Sequence, residues 1–174
     1  MQTPARKYHS FLSFGWGLIS NIDILSESMR IFGESRLYLA AVYFIAAKRM
    51  YSGKLSFLEA IPANENFKNS FVELPDLTQP FEIRNGQVSV IEGAFTGVWA
   101  LQTSHATASM HSGPGVRLDD GIFTIIVIRK CSYCDLLHLL LSLDEGGHFQ
   151  HPKVEIYRAY TYRLEPSHPE TEKG

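Results

Sequence analysis

From Asp23 to Arg49 the chain runs without a proline through residues that mostly tolerate a helix. After Gly53 it breaks into short runs separated by Pro62, Pro75, Pro80 and the Asn85-Gly86 pair. This change of punctuation is the strongest constraint on the fold. The first stretch, with Asp23 or Ser26 able to cap its start, predicts a helix. The short runs that follow, Lys54 to Ala60, Phe71 to Leu74, Phe81 to Arg84 and Val88 to Glu92, predict strands joined by turns in an antiparallel sheet. Phe95 to Gln102 and Ile122 to Arg129 are the most apolar runs, and the second is rich in β-branched residues, so both read as central strands covered on two faces.

The flanking segments complete the pattern. Tyr8 to Gly17 is aromatic-rich and reads as a strand ending in a glycine-bounded turn, with Leu18 and Ile19 leading into the helix. Thr103 to Gly121, with Gly113-Pro114-Gly115 and Asp119-Asp120-Gly121, reads as a long loop and a hairpin turn. Asp135 to Leu143 resembles a short apolar helix stopped by Gly146-Gly147, and Val154 to Leu164 alternates as a last strand. The polar tail, 166–174, is expected to fray. The expectation is an α+β fold: an antiparallel β-sandwich with a long helix on its N-terminal side and a shorter one on its C-terminal side, in a single domain over 1–174.

Composition removes several function classes. With 45% hydrophobic and 20% charged residues the chain can build a core and is not a disordered segment. Sixteen Lys+Arg against eighteen Asp+Glu leave no basic footprint, which argues against nucleic acid as a partner. The longest apolar run, Leu37 to Ala47, falls well short of the ~20 residues that cross a bilayer as a helix. Met1 to Lys7 is polar with no apolar region behind it, so neither a signal nor a transit peptide is expected. Two cysteines and no glycosylation sequon fit a cytoplasmic location. Cys131-x-x-Cys134 with His138 lacks the second ligand pair that a zinc site needs, so no metal site is expected. Neither a P-loop nor a Gly-x-Gly-x-x-Gly sequence is present.

The most informative stretch is Asn21 to Arg36. At helical spacing Asp23, Glu27, Arg30 and Glu34 form one stripe, which is also what a solvated salt-bridge face looks like. Gly33 breaks the symmetry. It costs roughly 1 kcal/mol inside a helix, and a bend there brings Arg30 and Arg36, which an unbroken helix would point apart, toward a common anion.

The residues Trp16-Gly17-Leu18-Ile19-Ser20-Asn21-Ile22-Asp23, then Ser26-Glu27, Arg30, Gly33-Glu34 and Arg36, resemble the start of the C-terminal lobe of the sphingosine kinases. Further pieces match in order: Tyr51 to Leu58, Leu101 to Met110 with His105, Gly121 to Arg129, Leu136 to Phe149, and Tyr162-Arg163-Leu164-Glu165-Pro166. The resemblance covers nearly the whole chain and is weakest over 59–95. It implies a two-lobe lipid kinase that moves the γ-phosphate of ATP, with Mg2+, to the primary hydroxyl of sphingosine or a related sphingoid base. The N-terminal lobe holds the nucleotide and supplies the base from a Gly-Gly-Asp-Gly type loop, and the C-terminal β-sandwich lobe holds the lipid. This chain resembles the second lobe only. Asp119-Asp120-Gly121 imitates that loop but reads as turn chemistry. The chain is therefore expected to be a fragment of such a kinase, with no catalytic base of its own and inactive alone, and its partner is the nucleotide lobe of the same protein.

Carried over position by position, Asp23 is implied to hold the sphingoid head group, and Arg30 and Arg36 to contact the ATP phosphates. The chemistry is suitable, since a carboxylate complements an ammonium and phosphoryl transfer is largely positioning and charge stabilisation. The lipid channel is implied to include Ile19, Ile22, Leu37, Met110, Ile126, Leu139, Leu140 and His148. Each of these is indistinguishable from ordinary core in the sequence. Collectively, burial of about 15 methylenes at ~0.8 kcal/mol each supplies on the order of 10 kcal/mol before ordering costs. Many relatives carry a second acidic residue where Asn21 stands. Peripheral membrane contact follows from the substrate class. The rival readings are a non-catalytic lipid-binding or interaction module, and a kinase lobe for ceramide or diacylglycerol.

Overall fold

The computed structural model describes residues 12–33, 35–47, 49–60 and 88–167. The expected runs Phe71 to Leu74 and Phe81 to Arg84, the Asn85-Gly86 turn, the start of the first strand and most of the tail lie outside the described residues. In chain order the elements are β1 (Ser13–Gly17), α1 (Leu18–Glu27), a 3-10 turn (Arg30–Phe32), α2 (Ser35–Ala47), β2 (Tyr51–Glu59), β3 (Val88–Phe95), β4 (Gly97–Leu101), β5 (Phe123–Ile128), α3 (Tyr133–Leu141), a second 3-10 turn (Gly147–Gln150) and β6 (Val154–Pro166).

The strands form one six-stranded antiparallel sheet in the order β1-β4-β5-β6-β2-β3. β6 spans both halves, pairing with β5 as far as Ala159 and with β2 from Ala159 onward. Thr96 separates β3 from β4 and pins the bend between them. Its N–H donates to the Ile128 carbonyl (2.9 Å), its hydroxyl donates to the Arg129 carbonyl (2.8 Å), and its own carbonyl accepts from the Leu18 N–H (3.0 Å). Strands that change direction in this way let one sheet fold over itself as the two layers of a sandwich. Trp16 on β1 meets Tyr51 on β2 (ring centroids 5.8 Å), and Phe14 meets Tyr162 on β6 (6.4 Å).

Alternation along the strands divides the core in two. Ile125 and Val127 face inward with Leu55, Phe57, Phe95, Val98, Ala100 and Ala159. Ile126 and Ile128 face outward with Trp99 and Leu101, where α1, α2 and α3 cover them through Leu18, Ala41, Ile45, Leu136, Leu139 and Leu140. The second layer positions the site described below.

The helical region differs from the expectation in two respects. It begins at Leu18, with Gly17 rather than Asp23 or Ser26 at the cap position; Gly17 holds φ +73° against the Thr96 carbonyl, where a Cβ would approach to 2.9 Å. The hydroxyl of Ser26 instead donates to the Asp23 carbonyl within the helix (2.8 Å). The region is also divided at Gly33 into α1 and α2. Helix α3 starts at Tyr133, two residues before the expected Asp135, because Ser132 and Asp135 cap it reciprocally: each side chain accepts from the other's backbone N–H (3.1 and 2.8 Å). In the expected hairpin turn, Asp120 accepts from the Ile122 N–H (2.9 Å) and pairs with Arg158 on β6 (3.0 Å).

Candidate functional site

The site begins with the break between α1 and α2. The Phe32 N–H donates to the Met29 carbonyl (3.0 Å) and the Gly33 N–H to the Arg30 carbonyl (3.1 Å), tightening the chain into the 3-10 turn. Gly33 then turns at φ +58°, ψ −137°, and a Cβ there would meet nothing within 4 Å. The demand for glycine at this position is conformational, not steric. The turn points Arg30 and Arg36 into one cavity of about 470 Å³, lined by Arg30, Gly33, Arg36, Leu37 and Thr107.

Both arginines also engage the last residue of α1. Arg30 donates through Nε to Glu27 Oε2 (2.8 Å) and through Nη2 to the same oxygen, while Arg36 Nη1 lies 3.4 Å from Glu27 Oε1. These cations hold the Glu27 carboxyl below the usual carboxylate range, the Arg30 hydrogen bond contributing most. The helical stripe is thus a salt-bridge face that also borders a concavity. Asp23 lies one turn before Glu27 on α1, with its side chain exposed. Asn21, in place of the second acidic residue, donates its amide N–H to the Tyr51 hydroxyl and ties α1 to β2.

The residues expected to line a lipid channel come together in the layer between the sheet and the helices. Met110, Ile126, Leu139 and Leu140 belong to its buried cluster, and Ile19, Ile22 and Leu37 pack half-buried against it. His148 is buried at 3% exposure in the second 3-10 turn, with Nε2 3.0 Å from the Ser112 carbonyl. Burial pushes its pKa below the usual histidine value, which keeps the ring neutral. Its Nδ1 and the Ser112 hydroxyl are buried with no hydrogen-bond partner of good geometry among the described residues. Leu37 belongs both to the arginine-lined cavity and to the apolar layer, so the two features share a wall.

Thr107 was not legible as a site residue. Thr107 sits between two alanines in an irregular loop and reaches the cavity only through the loop's path, in which the Met110 N–H donates to the Thr107 hydroxyl (3.1 Å). Trp99 read as strand core and does lie in the apolar layer. The cysteines take different surroundings: Cys134 is exposed, while Cys131 is buried and donates to the Arg129 carbonyl (3.2 Å). Among the described residues no group of three or more His, Cys, Asp or Glu side chains is placed to hold a metal ion. No described helix is long and apolar enough to cross a membrane.

Residues 70–173 match the family described as the YegS C-terminal, NAD kinase beta sandwich-like domain. Sphingosine kinase 1 of Homo sapiens is 30% identical over 169 residues, which cover 90% of this chain and 44% of that protein. Sphingosine kinase 1 of Arabidopsis thaliana is 28% identical over 172 residues, covering 92% of this chain and 35% of that protein. The chain therefore spans less than half the length of these curated relatives. A solved Bacillus anthracis structure, described as that of a diacylglycerol kinase, superposes with a TM-score of 0.52 at 15% identity, covering 91% of this chain and 43% of its own, which is a likeness of fold.

Proposed function

The chain belongs to the YegS C-terminal, NAD kinase beta sandwich-like family, and from that premise we propose that it is the C-terminal, lipid-binding lobe of a diacylglycerol-kinase-like lipid kinase, one that acts on sphingosine or a related sphingoid base. The reading rests above all on Leu37, which joins the arginine-lined cavity to the apolar layer. An acyl chain in that layer brings its head group to the same wall as a phosphate held by Arg30 and Arg36. Guanidinium forks suit phosphate oxygens and concentrate positive charge where phosphoryl transfer develops negative charge. Asp23, exposed on α1 one turn before Glu27, is in this reading the group that favours an ammonium-bearing head over the neutral heads of ceramide and diacylglycerol.

In this reading Arg30 and Arg36 contact the phosphates of ATP, and its Mg2+ is held by the nucleotide lobe that partners this one; that lobe also provides the base. The location is cytoplasmic with peripheral membrane contact. Support for that contact comes from Ile31 and Phe32, 90% and 56% exposed beside the arginine cavity. On α2, Leu39, Val42 and Tyr43 are exposed as well.

Titration of the chain with sphingosine, ceramide and diacylglycerol presented in detergent micelles tests the lipid role, read through the emission of Trp99 inside the layer in a Trp16→Phe background, which leaves Trp99 as the one indole of the chain. Saturable quenching or shift by sphingosine, weaker for the two neutral lipids, is the expected result. Equal response to all three removes the sphingoid preference, and no response to any removes the lipid role.

A further inference from the structure

We propose that Glu27 is a built-in anion that occupies the arginine pair until a polyphosphate displaces it, and thereby sets the affinity of the cavity. The inference rests on the reading of Arg30 and Arg36 as phosphate ligands and adds a group that competes with the phosphate.

The donors that Glu27 takes are of the kind a phosphate would use. Arg30 gives its Nε–Nη2 edge, the edge that makes bidentate contacts with oxyanions, to Glu27 Oε2, and Arg36 turns Nη1 toward Oε1. One carboxylate thus spans two guanidiniums as a phosphate would, and it cancels one of their two positive charges. The carboxylate carries that charge at neutral pH as any glutamate does, and its lowered pKa reflects the pairing with the arginines. The contact is also inexpensive to open. The Glu27 and Arg30 side chains are 47% and 73% exposed, so water takes over released donors and acceptors at little cost.

The position of Glu27 makes displacement a local event. Glu27 ends α1, Arg30 lies in the 3-10 turn and Arg36 in the first turn of α2, so the contact staples three elements across the Gly33 bend. The open space around Gly33 lets the bend adjust when the staple opens. Glu27 would instead strengthen phosphate binding if its main effect were to hold the guanidiniums in place. A water-exposed pair orients two long side chains only weakly, whereas its charge acts on every anion that enters. Competition is therefore the dominant effect.

The experiment is calorimetric titration of the full 174-residue chain with inorganic tripolyphosphate at neutral pH and low salt, for the unsubstituted protein, Glu27→Gln, Glu27→Ala and Arg36→Ala. Thermal unfolding checks that each variant is folded. The expected result is that both Glu27 variants bind at least threefold tighter, with a steeper dependence of affinity on salt, while Arg36→Ala binds at least tenfold weaker. If Arg36→Ala loses binding but the Glu27 variants bind equally or less well, Glu27 is not a competitor, and the arginine cavity stands as a phosphate site. If Arg36→Ala binds like the unsubstituted protein, or none of the proteins binds tripolyphosphate, the phosphate reading fails and the competition with it.

Discussion

Trp16, on β1 at one edge of the sheet, packs edge-on against Phe95, on β3 at the opposite edge, with ring centroids 6.1 Å apart. Strands that are five places apart in the hydrogen-bonded order meet through these rings, and the sheet is folded over its inner core as a result. Edge-to-face aromatic pairs add to the area they bury. In the same place Trp16 reaches Gly53 on β2, where a Cβ would lie 3.0 Å from the indole.

Trp16 is half-buried, so Trp16→Ala is expected to destabilise the chain by about 2 kcal/mol, below the ~3–5 kcal/mol of fully buried large aromatics. Denaturant unfolding of the two proteins measures the difference. A loss below about 1 kcal/mol would mean that the sheet holds its curvature without this contact.

His148 makes stability depend on pH in a defined direction. Its folded pKa lies below the usual histidine value because burial penalises the charged ring. The unfolded chain thus binds the proton first, so the contribution of neutral His148 is present above about 6.5, the ordinary value, and is lost as pH falls toward the lower folded pKa. The expected outcome is a decline in stability from neutral pH to mildly acidic pH that is visibly flatter in His148→Phe. Parallel pH profiles for the two proteins would assign the decline to other groups.

Glu155 is a second acid-sensitive group. Arg129 binds it through two hydrogen bonds of 2.9 Å each and Tyr157 through a third of 2.9 Å, and its carboxyl is held below the usual range, Arg129 contributing most. For a carboxyl with a depressed folded pKa, the stabilisation is present above the unfolded value and is lost as pH falls through the folded one. Glu155→Gln should lower thermal stability at neutral pH and converge with the unsubstituted protein at strongly acidic pH. A gap that stays constant with pH would contradict the ionic origin.

Arg36 is expected to serve phosphate contact rather than the fold. In a kinase carrying this lobe joined to its nucleotide lobe, Arg36→Ala should raise the ATP requirement or lower turnover at least tenfold while shifting the thermal midpoint little. Normal ATP kinetics with a large loss of stability would return Arg36 to the salt-bridge face.

The antiparallel class and the two most apolar strands were readable because turn formers and continuous β-branched runs act locally, as at Ile125 to Ile128. The Gly33 bend was also readable, since glycine inside a helical stretch costs roughly 1 kcal/mol, and the bend does bring Arg30 and Arg36 to one cavity. Helix α1 was placed too late because its start depends on Gly17 meeting the Thr96 carbonyl, a contact across the sheet that no local pattern announces. The sharing of Glu27 between two arginines depends on the bend angle, and the entry of Thr107 depends on a loop path, so neither has a sequence signature. The Ser132/Asp135 cap did have one, in the Ser-x-x-Asp spacing ahead of an apolar run.

The central claim is that Asp23 selects the lipid head while Arg30 and Arg36 hold the nucleotide, and steady-state kinetics of Asp23→Asn against both substrates test it most directly. Asparagine keeps the size and much of the hydrogen bonding of aspartate and removes only the charge. In a kinase carrying both lobes, sphingosine phosphorylation should weaken at least about tenfold, or 1.4 kcal/mol, with the KM for ATP changing far less. Unchanged sphingosine use together with impaired ATP binding would contradict the account, because it would put Asp23 on the nucleotide.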